Sequence, residues 1–130
     1  MNGQLFKTIA LIGLLIALGC EVSDSLSTEP DFGDPYTIAT AITPNTTVPR
    51  LDAGGLHVSV QYNGGCRSHG FHLEYRIQGE TTEIWLRHDG KGDLCEAYLT
   101  ETRQLAVSFR ALETENVVLL APNGTIFSLR

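Results

Sequence analysis

Apolar and polar side chains alternate with a period of two in three successive runs of this chain. Over residues 56–62, Leu56, Val58, Val60 and Tyr62 share one face, and His57, Ser59 and Gln61 the other. Over residues 71–77, Phe71, Leu73, Tyr75 and Ile77 point one way, and His72, Glu74 and Arg76 the other. Over residues 83–88, Ile84, Leu86 and His88 share a face, with Trp85 and Arg87 opposite. Successive side chains of a strand point to opposite faces, so each run predicts a strand with one buried side. Asn63-Gly64-Gly65, Gly79 and residues 89–93 read as the intervening turns. Residues 36–42 are β-branched enough for a first strand. Residues 97–100 and 105–110 read as strands, as one strand interrupted near 101–104, or as strand with a helical turn over 97–104. Near the end, two apolar runs flank Pro122-Asn123-Gly124, a strong hairpin signal. Six or seven short strands without an amphipathic helix predict an all-β fold, an antiparallel β-sandwich of immunoglobulin-like type. Cys66, Trp85 and Cys95 follow the immunoglobulin order, but the cysteines fall at strand ends rather than in mid-strand.

The first nineteen residues have a different pattern. Lys7 precedes an apolar run over residues 9–18, which ends at Gly19-Cys20 and gives way at once to polar residues. The run has the length of a secretory signal and is too short to span a bilayer. This segment resembles bacterial lipoprotein signals. The resemblance implies cleavage before Cys20 and lipidation of Cys20, although Ala17 stands where leucine is usual and Leu18 follows it. Plain cleaved secretion and an uncleaved anchor are the other readings. Residues 1–19 are thus read as signal peptide, 20–35 as a disordered tether rich in Ser, Asp, Glu, Thr and Pro, and 36–130 as the folded domain. The expected location is the cell envelope, lipid-anchored, periplasmic or surface-exposed.

Charge narrows the partners. The chain carries a net charge of −6, and removal of residues 1–19 takes away Lys7 and no acid. An acidic domain with Lys91 as its one remaining lysine is a poor match for nucleic acid or for anionic headgroups. Membrane attachment is therefore expected through the lipid alone.

The remaining chemistry gathers between Asn63 and Glu96. In an oxidising compartment Cys66 and Cys95 are expected to pair as a disulfide. The competing readings are free thiols and a zinc site of Cys66, His69, His88 and Cys95, with Asp89 or Asp93 orienting a histidine. Residues 89–93 bear a superficial likeness to a calcium loop, but Lys91 replaces an oxygen donor and Thr100 occupies the place of the closing glutamate. His57 and His72 fall on outward faces, His69 in a turn, and His88 at a strand end. No nucleophile elbow, metalloprotease helix or phosphate-binding glycine loop is present, so no enzyme activity and no cofactor is expected.

Gly64-Gly65-Cys66, His69, Phe71 and Leu73, followed by Leu86, His88, Asp93, Cys95, Glu96 and Ala97, resemble a family of uncharacterised small exported bacterial proteins, often lipoproteins. The resemblance implies export and a β-rich domain and no activity. The expected function is a binding module for a protein or an envelope glycan. Arg67, His69, His88 and Asp89 are its expected polar surface, and Trp85 its exposed aromatic anchor. Inhibition of a secreted hydrolase such as lysozyme and zinc binding are the alternatives.

Overall fold

The computed structural model describes residues 29–130. The signal segment, Cys20 and the tether up to residue 28 lie outside the described residues. Eight strands form two sheets: β1 (Thr37–Ile38), β2 (Arg50–Asp52), β3 (Gly55–Gly64), β4 (Gly70–Gln78), β5 (Thr81–Asp89), β6 (Ala97–Leu105), β7 (Asn116–Leu120) and β8 (Ile126–Ser128). In the first sheet β1 and β2 share one edge of β3, and β6 pairs along its other edge; the second has the order β4-β5-β7-β8. The sheets pack face to face as the expected sandwich.

The alternation read from the sequence sets which faces meet. Leu56, Val58, Val60 and Tyr62 of β3 form one core with Phe71, Ile84, Leu86, Val117 and Leu119 of the second sheet, and all are buried. The β7–β8 hairpin forms at the predicted place: Leu120 lies opposite Ile126 and Gly124 takes φ +87°.

Several boundaries differ from expectation. The first strand is two residues long: Ala39 N–H still bonds Ser59 O in register with it, and the chain then loops outward. Strand β6 runs unbroken from Ala97 to Leu105, in register with β3 throughout. Residues 106–108 leave the sheet, and Phe109–Leu112 form a 3-10 turn with Phe109 83 % exposed. The chain returns from that turn to lay β7 beside β5 in parallel, a pairing that hairpin logic does not foresee. The tether read over residues 20–35 also ends early. Residues 31–34 lie along β5: His88 N–H donates to Phe32 O, Asp34 N–H to His88 O, and Arg87 to Asp31. Gly33 makes this approach at φ +67°, where a Cβ would sit 2.2 Å from His88 O.

The core makes a direct test. Leu86→Ala is expected to lower unfolding free energy by about 2–5 kcal/mol in urea denaturation. Ile126→Ala, at a 64 % exposed position, is expected to stay within about 0.5 kcal/mol of the parent.

Candidate functional site

Both connections that carry the cysteines lie at one end of the sandwich. β3 ends and β4 begins there, β5 ends and β6 begins there, and residues 33–36 cross there from the second sheet to the first. Cys66 and Cys95 are joined as a disulfide, with Cα atoms 5.8 Å apart and 29 residues between them in sequence.

Asp93 is turned inward by the sharp backbone of Lys91 and Gly92, at φ +56° and +67°. Its Oδ2 accepts from the backbone N–H of Cys66 at 3.1 Å and of Arg67 at 3.0 Å. Its Oδ1 accepts from Cys95 N–H at 2.9 Å. One carboxylate therefore ties down the main chain of both cysteines. The hydrogen bond from His69, followed by these backbone donors, holds its pKa well below the usual carboxylate range.

His69 and His88 continue inward from Asp93. His69 Nε2 lies 2.9 Å from Asp93 Oδ2, and His69 Nδ1 lies 2.8 Å from His88 Nε2. His88 Nδ1 lies 3.1 Å from Asp34 O and 3.2 Å from Pro35 O. Aromatic rings wall the pair: Tyr62 stacks on His69 at 4.5 Å and Phe71 on His88 at 4.4 Å. Tyr36 meets His88 edge-on and gives its hydroxyl proton to Leu86 O, with burial raising the phenol's pKa above its usual value. A Cβ on Gly64 would lie 2.6 Å from His69 Nε2, so glycine at this point admits the ring.

The partners fix the protons. His88 Nδ1 faces only carbonyl oxygens, so it carries hydrogen. His69 Nε2 faces an ionised carboxylate, so it carries hydrogen too. The remaining two nitrogens face each other and would both be acceptors in neutral rings. A hydrogen must lie between them. The arrangement is a hydrogen-bonded Asp–His–His relay that braces two loops. Among the described residues no hydroxyl or thiol is hydrogen-bonded to either ring, so no nucleophile is placed for the relay to activate.

A second polar group borders the relay. Arg103 donates to Glu101 through Nε and Nη2, and to His69 O at 3.1 Å, while its guanidinium lies 5.3 Å from the Phe71 ring centre. Burial pushes the Tyr62 phenol up to about 12, helped by the charge of Glu101. Burial also works to raise the Glu101 carboxyl, but hydrogen bonds from Tyr62 and Arg103 outweigh it and the net shift is downward.

The sequence-predicted residues divide accordingly. The disulfide forms. The zinc quartet of Cys66, His69, His88 and Cys95 does not assemble: the sulfurs are bonded to each other and the imidazole nitrogens face Asp93, one another and carbonyls. His69 and His88 are buried at 5 % and 3 % exposure and so form no part of the outer surface. Arg67 is exposed and donates to Lys91 O. Asp89 faces outward and accepts from Lys91 N–H and ammonium, which lower its pKa, so residues 89–93 do not converge their oxygens as a calcium loop would. Trp85 is corrected from exposed anchor to buried residue at 6 %, because Arg76 covers its ring and Glu74 accepts its N–H at 3.0 Å. Sequence reading missed Tyr36, Glu101 and Arg103, and it placed Asp34 in the tether, whereas Asp34 accepts from Gly90 N–H at 2.7 Å.

Above the relay is a cavity of ≈ 400 Å³, lined by Asp34, Asn63, His69, His88, Asp93 and Glu96 among others, with Leu94 at its rim and 93 % exposed. No family model, curated protein or solved structure matches the chain.

Two measurements probe this end. Replacing both cysteines by serine is expected to cost about 3–4 kcal/mol in chemical denaturation, the chain-entropy value for such a loop. Asp93→Asn is expected to lower the thermal midpoint at neutral pH by at least ~5 °C. Because the folded pKa of Asp93 lies below its unfolded value, its contribution is complete above about pH 4 and is lost as pH falls through the folded pKa. The stability gap between parent and variant should therefore narrow below about pH 4 in a pH series of thermal melts.

Proposed function

We propose that this chain is a lipid-anchored cell-envelope binding module that meets its partner with the disulfide end of the sandwich. The observation that carries the reading is the arrangement of the two loops there. A disulfide and a buried Asp–His–His relay hold their backbones, yet Arg67 and Leu94 project from them into solvent. Loops fixed in advance bind at lower entropic cost than mobile ones, and arginine is among the residues enriched at binding hot spots.

The anchor reading rests on the sequence of residues 1–20 and on the resemblance to exported lipoproteins. The path of the folded chain agrees with it. Residues 31–34 run along β5 toward the disulfide end, and Pro30 lies beside Arg76, Glu83 and Leu120. The described chain therefore enters the domain from the side away from the disulfide. Inhibition of a basic hydrolase is favoured only by the net charge of −6, and the cations Arg67 and Lys91 at this rim oppose it.

The test is capture of partners from envelope extract by the mature lipoprotein, followed by mass spectrometry. Arg67→Ala and Leu94→Ala are each expected to remove partners retained by the parent, with unchanged thermal midpoints. An identical partner profile for both variants would overturn the proposal.

A further inference from the structure

The outer face of the β3–β6 sheet has a different character from the disulfide end. Thr37, Gln61 and Thr100 lie in one row across β1, β3 and β6, in register with one another. The next row toward the disulfide end holds Asn63 and Tyr98, with the Tyr98 side chain 65 % exposed. The two rows are about 7 Å apart along the strands. On the other side of the Gln61 row, residues 39–46 rise as a wall and enclose a groove of ≈ 620 Å³, into which Thr40, Asn45 and Thr46 also face.

This wall is held in place. Ala39 N–H donates to Ser59 O and Thr47 N–H to Ser59 Oγ. Thr43 and Thr46 bond each other through main chain and side chain. The row of polar side chains, in contrast, is only loosely engaged. Thr37 and Gln61 are 3.4 Å apart, and Gln61 and Thr100 are 3.5 Å apart, at the long limit for a hydrogen bond. The side-chain amides of Asn45 and Asn63 have no hydrogen-bond partner among the described residues, although Asn45 N–H donates to Thr43 Oγ1.

No residue lining the groove is charged, in a chain whose net charge is −6. Its apolar lining is limited to Ala39 and Ala41, too little for the apolar centre of a protein interface. Amides and hydroxyls that both donate and accept match sugar hydroxyls, and an exposed aromatic face matches the C–H face of a sugar ring. We propose that this groove, continued onto Tyr98, is a binding site for a neutral oligosaccharide. Tyr98 stacks on one ring, and Gln61, Asn63 and Asn45 bond the hydroxyls of that ring and the next. The site is independent of the Arg67–Leu94 rim, and either can fail without the other.

The experiment is calorimetric titration of the mature protein with hexasaccharides of glucose, mannose and N-acetylglucosamine, and with a uronic-acid hexasaccharide as charged counterpart. Saturable binding of at least one neutral hexasaccharide is expected, with the uronic-acid probe weaker. Tyr98→Ala and Gln61→Ala should each weaken that binding at least about tenfold, while Tyr98→Phe keeps most of it. Arg67→Ala should leave it unchanged. Thermal melts establish that the variants are folded, as exposed positions allow. Absence of binding to every neutral probe at millimolar concentration would overturn the proposal. Binding insensitive to Tyr98→Ala, or a preference for the uronic-acid probe, would do the same.

Discussion

The 2.8 Å contact between His69 Nδ1 and His88 Nε2 constrains everything around it. Two imidazole nitrogens this close inside a protein require a hydrogen between them, so the other nitrogen of each ring needs a partner of its own. A buried polar group is tolerated only with its hydrogen-bonding partners in place. Asp93 supplies the partner, and the carbonyls of Asp34 and Pro35 take the last donor. The relay therefore links the segment entering the domain, the start of β4, the end of β5 and the loop after it. Its rings are also core residues, since Phe71 and Tyr62 stack on them. Polar satisfaction and apolar packing meet on the same two side chains, which explains how histidines come to complete the inward faces of β-strands.

The covalent and noncovalent ties at this end act on different states of the chain. The disulfide restricts the unfolded ensemble, because it shortens the loop the chain can explore. Asp93 acts on the folded state, because its carboxylate gathers N–H groups of Cys66, Arg67 and Cys95 in the native geometry alone. A sandwich of about one hundred residues has a modest core, and its loops would ordinarily be its most mobile parts. Here the two connections that carry the cysteines are among its most restrained, which leaves Arg67 and Leu94 on a fixed base.

Strand faces were legible in the sequence wherever alternation was strict and one side was simply apolar, as in β3, β4 and β5. The disulfide was legible from compartment and count. What escaped were cases in which a polar residue faces inward or an aromatic faces outward. Glu101 and Arg103 point inward on β6 because they neutralise each other and satisfy Tyr62 and the His69 carbonyl; read singly, they look like a break in the strand. Trp85 sits on the outer face as its period demands, yet Arg76 and Glu74 from β4 cover it. Alternation gives the face of a residue, and only the neighbouring strand's long side chains decide whether that face is wet. The His69–His88 pairing was hidden for a related reason: nineteen residues and a hairpin separate the rings, and nothing in local spacing reports a contact made across β4 and β5.

The two surfaces of this molecule differ in how they are kept open. At the disulfide end Asp93, His69 and His88 spend their polar atoms on one another and on the loops, and Arg67, Lys91 and Leu94 are among the side chains left outward. On the β3–β6 face the reverse holds. Ser59 anchors the wall of the groove from beneath, through Thr47 N–H and Thr102, and the side chains of Thr37, Gln61 and Thr100 above make only long hydrogen bonds. Ser59 is fully buried although it lies on the outward face of β3, because the 39–49 loop folds over it. The loop thereby converts a flat sheet face into a groove with one closed side and one side open toward Tyr98. A ligand following that groove is directed along β3 rather than across it, and its far end arrives beside Asn63, at the lip of the cavity above the relay.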